Sequence, residues 1–343
     1  MIDHAGWPPA ERIVDRNGAG RGLPSGLDFA SIAGSALAYR LLEQDGTIAR
    51  YPNLGPRMQV LRTRFAEDGK RQPGTLYDRW IEALATQWAD SAAVPLVSGP
   101  LWEAKRLQTG LASWATLRHA TVLVNDQTGA ECGESGFEDI VMQPPRGYVE
   151  PDPAAFAAIA GLFDTTIAVV NASHLAPDEA TDTQLRNGVL RRLTESRDNV
   201  NKYRAIAEKE LKGEVPTSTD YEAIQYVGRA AEHNFLIFNS LANPDYSLST
   251  PDPMMKVADV AGAGATSGSL EAAVGRPLEW DQVVPFFGRS EIVKGSVYAY
   301  YEFVSQKPID DDAWRKAVDR QARPAWVTPF VSATKLACPA VQR

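Results

Sequence analysis

The chain has 343 residues and a mass of 37.4 kDa. Its 35 Lys and Arg against 43 Asp and Glu leave a net charge of −8, with 44% apolar and 23% charged residues. That balance excludes wholesale disorder and argues against nucleic-acid binding, which needs a basic face to release counterions; two cysteines exclude a disulfide scaffold and a cysteine-based zinc site.

In chain order, residues 1–26 are rich in Gly, Pro and charge and read as an extended arm. From Leu27 the pattern turns helical. Asp28 is placed to cap a helix running to about Glu43, with Gly46 past its end. A short helix carries Met58, Leu61 and Phe65. Thr75 and Asp78 give a helix-start signal, and Tyr77, Trp80, Ile81, Leu84 and Trp88 then recur at helical spacing. Pro100 opens the next helix, with the stripe Leu107, Leu111, Trp114 and Leu117. The Gly- and Pro-rich stretch from Gly129 to Pro153 predicts a long loop. Three helices follow, at about Pro153–Ser173, Glu179–Lys212 and Asp220–Phe238, with Thr219 and Glu222 as a capping box for the last.

Beyond Pro244 β-branched and aromatic residues dominate. Lys256 to Val260, Gln282 to Phe287 and Glu291 to Phe303 read as strands, with Gly288-Arg289-Ser290 turning the last hairpin. A short helix near Asp312–Gln321 precedes an extended tail after Pro324. The expected fold is mainly α, of the α+β kind. It has an arm at 1–26, a single helical domain at 27–323 with a small antiparallel sheet at about 250–305, and a tail at 324–343. No apolar run approaches the roughly 20 residues of a bilayer span, so no transmembrane segment is expected. Met1-Ile2-Asp3-His4 lacks a basic region and an apolar stretch, so no signal peptide is expected either. Cys132 and Cys338 can be paired or free; spacing does not decide it.

The chemical motifs are sparse. Of the four histidines, none pairs at the helical spacing of a zinc site. His119, late in an apolar helix, is a candidate base or metal ligand with Glu131 or Asp259 as acidic partner; a satisfied core histidine is the simpler reading. Asp259 and His119 are therefore weak metal candidates, and no metal or other cofactor is expected. Gly262, Gly264 and Gly268 lack the dinucleotide spacing and read as a flexible turn. Glu131, Glu134, Glu138 and Asp139 read as a solvated acidic loop. Tyr298 and Tyr300 share one strand face and Tyr301 takes the other.

Several words occur in a telling order. They are Leu23-Pro24-Ser25-Gly26-Leu27-Asp28, Leu76-Tyr77-Asp78-Arg79-Trp80, Leu111 to His119, Gly147-Tyr148-Val149-Glu150-Pro151, Val257-Ala258-Asp259-Val260, Glu271 to Pro277 and Gly295 to Phe303. Together they resemble the bacterial family of unknown function DUF3160, from about Leu23 to about Arg315, as the C-terminal half of typical members. The resemblance implies a cell-envelope setting. It also implies two departures: Ala120 stands where the family has Asp, and Ala261 where it has His.

The expected function is a non-catalytic structural or interaction subunit of a larger bacterial assembly, a degenerate member of its family. Its partners would be other protein chains, one of them supplying the missing N-terminal half. The alternative is a hydrolase-like cell-envelope enzyme. Its site would use His119 as base or ligand, Glu131 and Asp259 as acidic partners and Tyr300 as donor.

Overall fold

The structure, a computed structural model, describes residues 12–68, 75–89, 99–121, 146–242, 255–262, 268–286 and 288–331. Six helices come first: α1 (Gly26–Ile32), α2 (Ala36–Gln44), α3 (Thr47–Arg50), α4 (Leu54–Asp68), α5 (Leu76–Trp88) and α6 (Pro100–Thr121). Then come α7 (Pro153–Ala172), α8 (Glu179–Leu211), α9 (Ser218–Gln225) and α10 (Val227–Ala242). Strands β1 (Val257–Gly262), β2 (Ser269–Phe286) and β3 (Arg289–Ser305) form one antiparallel sheet in the order β1-β2-β3. Helix α11 (Asp311–Ala317) and two 3-10 turns, Val318–Arg320 and Ala325–Phe330, end the described chain. The fold is mainly α with a small antiparallel sheet, as expected.

The helix predicted from Leu27 to Glu43 is two helices. Ser25, not Asp28, is the N-cap of α1; Asp28 is its capping-box partner and accepts a 2.7 Å hydrogen bond from the Ser25 N–H. The chain leaves α1 through Gly34, whose φ of 122° suits glycine, and Ser35 caps α2 by accepting from the Ala38 N–H at 3.1 Å. The segment predicted as one helix at 220–238 is likewise split at Tyr226. Its capping box is Thr217 with Asp220 rather than Thr219 with Glu222. The Thr75–Asp78 box and the positive φ of Gly46 appear as predicted. The tail beyond Pro324, expected as extended, contains the 3-10 turn at Ala325–Phe330 with Val327 buried.

The middle strand was missed over its first half. The sequence reading places no strand over residues 269–281, which contain Gly275, Arg276 and Pro277. The structure absorbs them in a bulge between Gly275 and Leu278, where the missing N–H of Pro277 costs no ladder bond. Past the bulge Leu278, Trp280 and Val284 lie toward the body, while Glu279, Asp281 and Val283 are exposed.

Helix α6 is the axis of the main core. Leu107, Leu111, Ala112, Ala115 and Leu117 are all at most 2% exposed. They pack with α1, α2, α4 and α5 against the sheet face bearing Ala272, Val274 and Tyr300. The opposite face, with Val257, Ala273 and Tyr301, is covered by Trp314 and Val318. A third cluster, Val149, Ile206 and Ala207 with Phe156, Tyr203 and Ile224 around it, joins α7, α8 and α9.

Helix α7 is apolar and yet little buried. Its 20 residues, with a mean hydropathy of 1.7, are long and apolar enough to cross a membrane by length and composition. It packs against α5 and α8, yet only 11% of it is buried.

Gly34→Ala should therefore destabilise the fold by about 1–2 kcal/mol, because a Cβ there meets no neighbour yet strains the backbone. Urea denaturation monitored by circular dichroism reads the difference.

Candidate functional site

The last turn of α6 brings His119 to the start of α11. His119 Nε2 lies 3.0 Å from Asp311 Oδ2, and Lys256 Nζ reaches the same oxygen at 2.9 Å. The other oxygen, Oδ1, accepts the Val257 N–H at 3.0 Å. Burial opposes the charge on Asp311, but the contacts with His119, Lys256 and the Val257 N–H outweigh it and hold the carboxyl well below its usual range. The cluster clamps α6, the start of β1 and α11 together. Asp311 thus takes the place expected for Glu131 or Asp259. Glu131 lies outside the described residues, as do Cys132, Cys338, Glu134, Glu138, Asp139 and Gly264.

Asp259 and Tyr300 lie on opposite faces of the sheet. Asp259 is paired across the strands with Glu271, which in turn faces Phe303 on β3. Glu271 is 0% exposed, and what its carboxyl meets is the Asp259 carboxyl, with no cation or backbone N–H bonded to it among the described residues. Burial first, then the adjacent Asp259 carboxylate, push it up to about 8, so it holds a proton at neutral pH. Tyr300, on the α6 side, donates to Glu302 Oε2 at 2.7 Å. The same oxygen accepts the Gly26 N–H at 2.6 Å. Beside it Asp28 is buried and ion-paired with Arg21 at 2.7 Å. Gly26 is required by proximity: a Cβ on it would come within 2.5 Å of Tyr300 Oη and 2.9 Å of Glu302 Oε2.

The three predicted site residues that are described, His119, Asp259 and Tyr300, are therefore not one centre. His119 belongs to a clamp, Asp259 to an acid pair and Tyr300 to a buried strap holding the N-terminal segment on β3. Among the described residues no group of three or more His, Cys, Asp or Glu side chains is arranged to hold a metal ion. Ala120 is exposed on the last turn of α6, and Ala261 follows the irregularity in β1 after Asp259.

A separate cavity of about 150 Å³ lies between the α8–α9 turn and the tip of the β2–β3 hairpin. Tyr148, Glu210, Tyr221, Pro216 and Phe286 line it. Glu210 Oε1 accepts the Val149 N–H at 3.1 Å. Its Oε2, like the hydroxyl of the buried Tyr221, has no partner among the described residues. Burial and the charge of Asp220 raise Glu210 to about 8 against the Val149 bond. Tyr148 rises to about 12 through burial and the charge of Glu210. A wider cleft of about 500 Å³ opens between α6, the hairpin and the Ala325–Phe330 turn, beside Lys105, Trp280 and Trp326. Its Lys105 is ion-paired with Glu150.

Sequence reasoning missed Asp311, Glu271, Glu302, Glu210 and Tyr221 as functional groups. Glu271 and Glu302 stand within the quoted words, but only Glu302 lies in a segment that the sequence predicts as a strand. Glu210 gave no local signal, because its burial comes from residues 148–149 and the α8–α9 turn closing over it.

The two buried acids give opposite pH dependences. Asp311 is depressed in the fold, so its stabilisation is present above its unfolded value near 3.8 and is lost as the pH falls through the range below it. Asp311→Asn should cost about 2–3 kcal/mol at pH 7 and little at pH values under that range. Glu271 is raised, so stability is highest below its unfolded value near 4.5 and declines as the pH climbs through about 8. Glu271→Gln should flatten that alkaline decline. Melting curves across the pH range read both.

No curated protein and no solved structure matches the chain. One protein family does, described as "Protein of unknown function (DUF3160)", and its match runs over residues 10–327. It is wider than the span from Leu23 to Arg315 and covers nearly the whole chain, not just a C-terminal half of the family. With its quoted words meeting in the clamp, the acid pair and the strap, the chain belongs to the DUF3160 family.

Proposed function

We propose that this chain is a non-catalytic structural or interaction subunit of a larger bacterial assembly in the cell envelope, working through contacts with other protein chains. The observation that carries this reading is the engagement of the groups best suited to chemistry. His119 is bound to a carboxylate that also holds Lys256 and the Val257 backbone. Tyr300 is 1% exposed and hydrogen-bonded to Glu302. A base or donor needs a free position within hydrogen-bond reach of a substrate, and these side chains are occupied in joining elements. Ala120 and Ala261, at positions where the family resemblance implies Asp and His, agree with a centre that has lost its polar members.

The largely unburied apolar helix α7 supports the interaction part of the reading. Val169, half exposed on it, is one of several apolar side chains left without full cover.

A second reading, a hydrolase-like cell-envelope enzyme around His119, Glu131 and Asp259, draws on one observation. Glu271 is held protonated beside Asp259, as a general acid would be.

Sedimentation velocity on material isolated from its native source should show the chain in a complex larger than itself; a partner-free monomer would overturn the subunit reading. Metal analysis separates the second reading. His119→Ala should fold, lose about 1–3 kcal/mol with its contact to Asp311, and leave the metal content of the protein unchanged. A stoichiometric ion that disappears with His119 would establish the enzyme instead.

A further inference from the structure

We propose that the cavity between the α8–α9 turn and the hairpin tip is a binding site for a small organic cation of the alkylammonium class. Three features of the site point to this ligand. The first is unmet hydrogen-bonding capacity. Glu210 Oε2 and the Tyr221 hydroxyl are buried without a partner among the described residues, and Tyr221 is only 7% exposed. Buried polar atoms in native proteins are normally paired, so an orphaned pair at one cavity marks an absent partner.

The second is the wall. Tyr148, Tyr221 and Phe286 line a space that also holds the carboxyl groups of Glu210 and Glu214. Aromatic faces carry negative charge density and attract a desolvated cation, and a carboxylate among them fixes its position. The third is the local charge. Glu210 and Glu214 line the site; Asp220, whose charge reaches Glu210, lies outside the lining and is bound to Lys209 at 2.6 Å. Arg146 acts electrostatically on Tyr221. An anionic ligand would meet two carboxyl side chains there, whereas a cation finds one with an open oxygen.

The size restricts the ligand. About 150 Å³ corresponds to about five water volumes of ~30 Å³ each, so propylammonium or a choline-sized cation fits and a nucleotide or sugar chain does not. The Val149 N–H on Glu210 Oε1 orients the carboxyl so that Oε2 remains for the guest.

Binding carries a proton signature. Burial and the charge of Asp220 raise Glu210 to about 8, so the empty site holds a neutral carboxyl at pH 7 and a cation must displace its proton into solvent. Asp220 lies below that window, and Tyr148 and Tyr221 lie above it. Affinity should therefore rise as the pH rises through about 8.

Isothermal titration of the full chain with propylammonium and choline, each of which carries a hydrogen-bond donor, tests this. Expected is saturable binding that strengthens about tenfold or more between pH 6 and pH 9, with a proton released per cation. Glu210→Gln keeps the Val149 contact and should weaken binding about tenfold at pH 9 and abolish the pH dependence. Tyr221→Phe keeps the ring and should retain most of the affinity. The neutral isostere 3,3-dimethylbutanol requires no variant and should bind more weakly than choline. Absence of binding by either cation, equal binding of the neutral isostere, or an affinity unaffected by Glu210→Gln would each overturn the proposal.

Discussion

The central constraint on this fold is a sheet covered on both faces. The α6 core takes one side of β1-β2-β3, and Trp314 with Val318 takes the other. Water does not reach the middle of such a sandwich, so each polar side chain that leaves the strands needs a partner inside or must give up its charge. The structure shows both outcomes. Glu302 is bonded to Tyr300 and the Gly26 backbone, and Asp311 to His119, Lys256 and Val257. Glu271 has no such set and holds a proton instead.

These contacts also decide which distant parts of the chain meet. The Gly26–Glu302 bond joins residues 276 apart in sequence. Lys105 and Arg106, both buried on α6, reach Glu150 and Asp152 just before α7, and Arg106 also bonds the Gln87 carbonyl at the end of α5. Trp314 donates to the Val274 carbonyl at 2.8 Å and stacks on Phe303. An array of this kind favours one arrangement of elements, because a shift of any one of them would leave a buried charge alone. The same rigidity is what an interaction subunit needs in order to present a fixed surface.

Periodicity made much of this legible in advance. The α6 stripe of Leu107, Leu111, Trp114 and Leu117 is buried, the Thr75–Asp78 cap forms, and the hairpin turns at Gly288. The failures share a cause. The break at Gly34 is a matter of backbone conformation and the bulge at Arg276-Pro277 one of cross-strand pairing, and the local spacing of apolar residues carries no record of either. The site failed for a similar reason. His119 was recognised as a residue able to do chemistry, but Asp311 lies 192 residues further on, and only the fold brings it within 3.0 Å. Glu210 lies in a strongly polar helix, and the turn after α8 closes over it.

The bulge in β2 has an effect out of proportion to its size. Because three steps on β2 from Gly275 to Leu278 match two on β3 from Ala299 to Val297, the residues that share a face with Ala273 and Gly275 change from odd to even numbers. Loss of a single residue at 276–277 with the bulge kept would slide the outer ribbon by one place, so that Glu279 rather than Leu278 pairs with Val297. Glu279 and Asp281 would then face the body, while Leu278 and Trp280 would face water. This short segment therefore sets the phase of everything beyond it, and evolution can vary its side chains far more freely than its length.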